Sequence, residues 1–162
     1  MRVYHIVKDE LEFAVGSILY PRSYNLDDFK SKKHEVEEAL ENVRSNYYPN
    51  FPSRLNCLFV CRNLNDVESW SLMKSDIYGR HFKILTLEVT TPVHWFSAQS
   101  YNEYFCDIRN DLNQACKEYW QSHTDTNIDE MEECEGIITT PVQIVAVQHA
   151  SICRDIGLKI ID

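Results

Sequence analysis

Apolar residues fall along this chain in two rhythms, short unbroken runs and stripes spaced by threes and fours. The runs predict strands. Residues 2–7, mostly apolar around Val3, Tyr4, Ile6 and Val7, read as a strand buried on both faces if it is central. Gly16 then breaks a mixed segment that ends at Tyr20-Pro21. Leu55 to Cys61 is a second run, and Phe82 to Val89 a third whose Phe82, Ile84, Leu85, Leu87 and Val89 point mainly inward. Thr90-Thr91-Pro92 ends it, and Val93 to Phe96 is a short fourth. Gly136 to Thr139 and Val142 to Val147 follow around Pro141, with a last strand at Leu158 to Ile161.

The spaced stripes predict helices. From Asp27 to about Ser45, Phe29, Val36, Leu40 and Val43, and then Tyr47, form one buried stripe among Lys, Glu, His and Asn. Asp27 and Asp28 suit the positive end of that helix, and Pro49 and Pro52 stop it. Asn65-Asp66-Val67-Glu68 reads as a capping box opening a short helix through Met73, with Trp70 inside. Ser100-Tyr101-Asn102-Glu103 reads as another, starting one long helix through about Gln121. Its inward face would carry Tyr104, Ile108, Leu112, Ala115 and Tyr119. Residues 122–134 read as an acidic loop.

Strands and helices mix without regular βα alternation, so an α+β fold is expected, with strands at both ends of the chain. At 162 residues one domain over 1–162 is the simplest organisation, able to bury about two thirds of its unfolded surface. No apolar stretch approaches the length of a membrane span, and Arg2 and His5 break any leader-like run, so a cytoplasmic protein is expected. The six cysteines contain no C-x-x-C pair and read as reduced thiols. A net charge of −9 disfavours broad nucleic-acid binding, although Lys30, Lys32, Lys33, Arg44 and Arg54 form a more basic third. No G-x-G-x-x-G, P-loop or G-x-S-x-G motif occurs, and no histidine pair has i, i+4 spacing with a carboxylate, so no metal site is expected.

Two polar residues stand out. His5 interrupts the first strand, and Glu135 precedes the Gly136 strand. Tyr4-His5-Ile6, followed by Phe13-Ala14-Val15-Gly16-Ser17-Ile18, resembles the opening of ADP-ribosyltransferases of the His–Tyr–Glu type. Pro52 to Val60, with Ser53 and Arg54, and Ala115 to Trp120 are similar to stretches of small bacterial relatives. Cys134-Glu135-Gly136-Ile137-Ile138, then Pro141 to Val147, is similar to the glutamate segment of DNA-modifying toxins from toxin–antitoxin systems. Gly136 stands where those toxins are apolar, and Phe59 or Tyr47 must replace their middle tyrosine.

The resemblance implies a split mixed or antiparallel sheet with flanking helices around an NAD cleft. It implies Glu135 and His5 as catalytic residues, with Glu133 the rival carboxylate. Tyr4, His5, Ser53, Arg54, Phe59 and Tyr47 would bind NAD: Arg54 forking onto the pyrophosphate, His5 donating to a ribose hydroxyl, and Phe59 or Tyr47 stacking on nicotinamide. The activity implied is transfer of ADP-ribose to a nucleic acid or protein by a toxin or anti-phage effector, with a cognate antitoxin or inhibitor as partner. A catalytically inactive NAD- or partner-binding module and an RNA 2′-phosphotransferase are the alternatives. By themselves the residues permit a core histidine at 5 and a solvated acidic loop around 135.

Overall fold

A computed structural model describes residues 1–124 and 128–162; residues 125–127, part of the expected acidic loop, lie outside that description. In chain order the elements are β1 (Arg2–Lys8), β2 (Ile18–Leu19), β3 (Arg22–Ser23), α1 (Ser31–Tyr47), β4 (Asn56–Val60), α2 (Leu64–Met73) and α3 (Ser75–Tyr78). β5 (His81–Glu88), β6 (His94–Ser97), α4 (Gln99–Phe105), α5 (Leu112–Gln121), β7 (Cys134–Ile138), β8 (Val142–Cys153) and β9 (Gly157–Ile160) complete them. The fold is α+β, built of antiparallel strands with flanking helices, as the strand and helix rhythms imply.

The chain divides into two compact units. The first comprises Met1–Tyr20, Phe59–Pro92 and Thr140–Asp162 and holds the five-stranded sheet in the order β1-β5-β8-β2. β5 is buried from Phe82 to Leu87 because both of its edges are paired, by β1 and by β8, and side chains on both faces are covered. β8 runs twelve residues, well past the expected Val147, because its far half pairs with the start of β5. Its other edge carries β2 at Val142 and Gln143 and β9 at Ala150 to Cys153. Helices α2 and α3 pack on this sheet.

At the β8–β9 turn, Gly157 takes φ +81, and a Cβ there would stand 2.7 Å from a Glu68 carboxylate oxygen of α2. The same carboxylate accepts a hydrogen bond from the Leu158 amide at 2.8 Å. A buried lysine, Lys83, donates to the Leu11 carbonyl at 2.8 Å and so ties the segment after β1 to the middle of the sheet.

The second unit comprises Pro21–Leu58 and Val93–Thr139, with the four-stranded sheet β3-β4-β7-β6 and helices α1, α4 and α5. Val36, Leu40 and Val43 are buried on α1 as expected, but Tyr47 at its end is 61% exposed. The expected single helix over 100–121 is two helices. Asp107 adopts a left-handed φ of +58, and Lys32 donates to the Phe105 carbonyl at 3.3 Å and pairs with Asp107 at 2.7 Å. Lys32 thus takes up backbone and charge where the helix stops, and Ile108, expected inside, is 72% exposed. Ser100 does not cap α4: its hydroxyl donates to the Ala115 carbonyl at 2.7 Å. Trp95, Phe96, Tyr119 and Trp120 form the aromatic core of this unit, and the Trp120 indole donates to Leu40 at 2.9 Å.

The α2 cap also departs from the expected box at Asn65. Asn63 is the capping residue, its side chain accepting from the Asp66 amide at 2.8 Å. Asn63→Ala therefore lowers stability by about 1 kcal/mol, whereas Asn65→Ala, at an exposed position, changes it little; urea unfolding of both variants checks this.

Candidate functional site

The buried centre of the second unit is polar. Arg54, on the turn before β4, is 5% exposed, and Glu135, the second residue of β7, is also 5% exposed. Arg54 forks onto Glu37 of α1, Nε to Oε2 at 3.1 Å and Nη2 to Oε1 at 2.9 Å. Its Nη1 donates to Glu135 Oε1 and, at 2.9 Å, to the Tyr119 hydroxyl. Tyr119 of α5 in turn donates to Glu135 Oε1 at 2.6 Å, and Tyr101 of α4 to Oε2 at 2.9 Å. The guanidinium also lies 5.1 Å from both tyrosine ring centres.

Local sequence explains how Arg54 reaches this place. The Ser53 hydroxyl donates to Glu41 at 2.9 Å and accepts from the Leu55 amide at 3.1 Å, so it pins the turn on α1. Glu41 is itself held by Arg44 at 2.6 Å. Glu37 lies on the buried stripe of α1, between Val36 and Leu40, where it meets the guanidinium.

Electrostatics follow from that closure. Burial opposes the charge on Arg54, but the carboxylates of Glu135 and Glu37 outweigh it and hold the guanidinium well above its ordinary pKa. Burial, then the negative charge of Glu135, pushes the Tyr101 and Tyr119 phenols well above theirs. Burial likewise pushes the Cys57 and Cys116 thiols up to about 12. Glu133, two residues before Glu135, is half-buried with φ +47, and burial raises its carboxyl.

The first unit holds the other expected group. Tyr4 bridges Cys61 through paired backbone hydrogen bonds of 2.9 and 2.7 Å, and the next residue, His5, bonds Phe59. A carbonyl only accepts, so the 2.7 Å contact between His5 Nδ1 and the Phe59 oxygen puts a proton on Nδ1. In the neutral ring Nε2 is then an acceptor. His5 and Phe59 are both half-buried.

Of the expected residues, the structure brings Arg54 and Glu135 together in one unit, with Ser53 beside them on Glu41, and Tyr4, His5 and Phe59 together in the other. Tyr47 joins neither group; its exposed ring lies under the Lys117 ammonium at 4.8 Å. Arg54 is also not placed as expected for a phosphate clamp, because Nε, Nη1 and Nη2 all donate to carboxylates. Glu37, Tyr101 and Tyr119 were not expected in the site. The signal for Glu37 was a carboxylate on an apolar helical stripe; Tyr119 carried none beyond facing inward, and Tyr101 none beyond its place at a helix start. Among the described residues, no group of three or more His, Cys, Asp or Glu is arranged to hold a metal ion, and no helix is long and apolar enough to cross a membrane.

Residues 4–155 match the family described as protein of unknown function (DUF2441), nearly the whole chain and both groups of residues. The chain belongs to that family. Its description assigns no activity, so the family adds kinship and leaves function to the chemistry of the side chains. No curated protein matches the chain.

Two consequences of the buried network are measurable. Arg54→Met strands two buried carboxylates and costs roughly 3–5 kcal/mol in urea unfolding, the range for breaking a buried ion pair. The phenols give the second. A phenol with a higher pKa folded than unfolded contributes stability that is whole below about pH 10 and is lost as pH rises through the folded value. Alkaline spectrophotometric titration therefore finds two of the nine tyrosines ionising only with unfolding, and stability falling above about pH 10. Tyr101→Phe and Tyr119→Phe each remove one of those late phenols.

Proposed function

We propose that this chain is a mono-ADP-ribosyltransferase that cleaves NAD and passes ADP-ribose to a nucleic acid or protein. The observation that carries the reading is Glu135: a carboxylate near the start of a late strand, held in place by Arg54, Tyr101 and Tyr119. The likeness of the Tyr4-His5, Ser53-Arg54 and Glu135 segments to ADP-ribosyltransferases supports it, as does an α+β fold of antiparallel strands and flanking helices.

In this reaction the bond from ribose to nicotinamide breaks, and the neutral base leaves with the electron pair. Positive charge grows on the sugar, and an acceptor oxygen or nitrogen then attacks the anomeric carbon and loses a proton. A fixed carboxylate serves the charged stage, because an anion already oriented needs no reorganisation as charge develops. Arg54 acts here as a positioning residue through Glu135. A ribose hydroxyl replaces a tyrosine hydroxyl on Glu135, one O–H donor exchanged for another. In the first unit Tyr4, His5 and Phe59 are the residues that the resemblance assigns to NAD, with Tyr47 of the second unit the alternative to Phe59 for stacking on nicotinamide. The proposed setting is the bacterial cytoplasm, as a toxin or phage-defence effector with a cognate inhibitor.

One observation favours a second reading. The closed contacts among Arg54, Glu37 and Glu135 suit a non-catalytic binding module on the same fold equally well.

Incubation with labelled NAD and cell extract separates the two. Transfer of label to nucleic acid or protein is expected, falling roughly 10²–10³-fold in Glu135→Gln, the range for removing one preorganised electrostatic group. A folded Glu135→Gln that keeps the full rate while Glu133→Gln loses it moves the chemistry to Glu133. Binding of NAD with neither transfer nor release of ADP-ribose by the wild-type chain overturns the transferase reading in favour of the module.

A further inference from the structure

Away from Arg54 and Glu135, the second unit pairs two histidines that lie 29 residues apart in sequence. His94 opens β6, where it sits opposite Ile137 of β7. His123 follows the end of α5, and the next residue, Thr124, is fixed by its amide donating to the Trp95 carbonyl at 3.1 Å. Both positions are therefore set by backbone. Both side chains are half-buried. The His123 ring packs against Phe51, 4.6 Å between centres, and Phe96, 5.1 Å, which limits its rotation.

His94 Nδ1 and His123 Nε2 stand 3.2 Å apart, with ring centres 5.4 Å apart. Two imidazole nitrogens on one tetrahedral zinc ion, each at about 2.0–2.1 Å, are separated by about 3.3–3.4 Å. The pair thus already has the bite of a two-histidine chelate. We propose that His94 and His123 form a site for a borderline divalent transition-metal ion, zinc in the first instance, with nickel and copper also suited to imidazole.

Without metal, one ring donates N–H to the other. On binding, the hydrogen between the two facing nitrogens leaves to the other nitrogen of its ring or to solvent, so both facing nitrogens present lone pairs to the ion. Among the described residues these two histidines are the ligands, and water or substrate would fill the other positions of the ion, unlike a closed structural site. The ion would clip the end of α5 to the start of β6.

The test is zinc titration of chelator-treated full-length protein by calorimetry and by thermal unfolding. The expected result is one saturable equivalent per chain and a rise in Tm of roughly 2–5 °C at about ten times Kd. His94→Gln and His123→Gln, each confirmed as folded by circular dichroism, should lose that equivalent. His149→Gln should keep it, since His149 pairs instead with Asp9 and Asp162. Absence of saturable binding in the wild-type chain, or an equal number of equivalents in folded His94→Gln and His123→Gln, overturns the site. NAD cleavage is not read in this experiment, so its outcome is separate from that of the transferase reading.

Discussion

A guanidinium removed from water must be met by negative charge, because an isolated buried ion costs far more than the 5–15 kcal/mol by which domains are typically stable. Arg54 is met twice, by Glu37 from a helix and Glu135 from a strand nearly a hundred residues further on. Those contacts fix where the turn before β4, the middle of α1 and the start of β7 stand in one unit. Two carboxylates against one cation leave negative charge over, and the hydroxyls of Tyr101 and Tyr119 are turned onto Glu135 to absorb it. Four elements and one turn are therefore set by a single ion cluster, and the aromatic core packs around that arrangement.

The same cluster bears on how chemistry is housed. In the proposed reaction a carboxylate that must face a growing positive charge is useful only if it is still, and the three donors on Glu135 hold it so. They also shield it. In the proposed reaction a ligand hydroxyl would displace a phenol, each phenol making fewer contacts with the carboxylates than Arg54, which is held by Glu37 and Glu135 together. His5 is oriented by a different device, a backbone carbonyl that selects one ring tautomer.

Much of the fold was legible because it follows from local rhythm. Val36, Leu40 and Val43 announce the buried face of α1, and the run from Phe82 to Leu87 announces a strand covered on both faces. What local rhythm lacks is knowledge of partners. Ile108 and Tyr47 fit their stripes and yet lie in water, because Lys32 ends one helix early and the other outruns its own core contacts. The site behaves alike. Arg54 and Glu135 were legible as polar residues in telling places, but their mutual engagement, and the third member Glu37, arise only when distant segments meet. His94 and His123 were unreadable as a pair, since spacing rules find ligands on one helix and not across a helix end and a strand.

Gly157 shows how closely the final hairpin is fitted. The Glu68 carboxylate of α2 reaches into the space a side chain would fill and holds the next amide, so the turn works as a socket for the helix. Deleting the chain beyond Arg154 would take away more than a frayed tail. It would strip Glu68 of a backbone partner and leave Ala150 to Cys153 of β8 without the β9 strand they pair with. Residues 157–160 thus extend the sheet beyond β8 as well as holding α2.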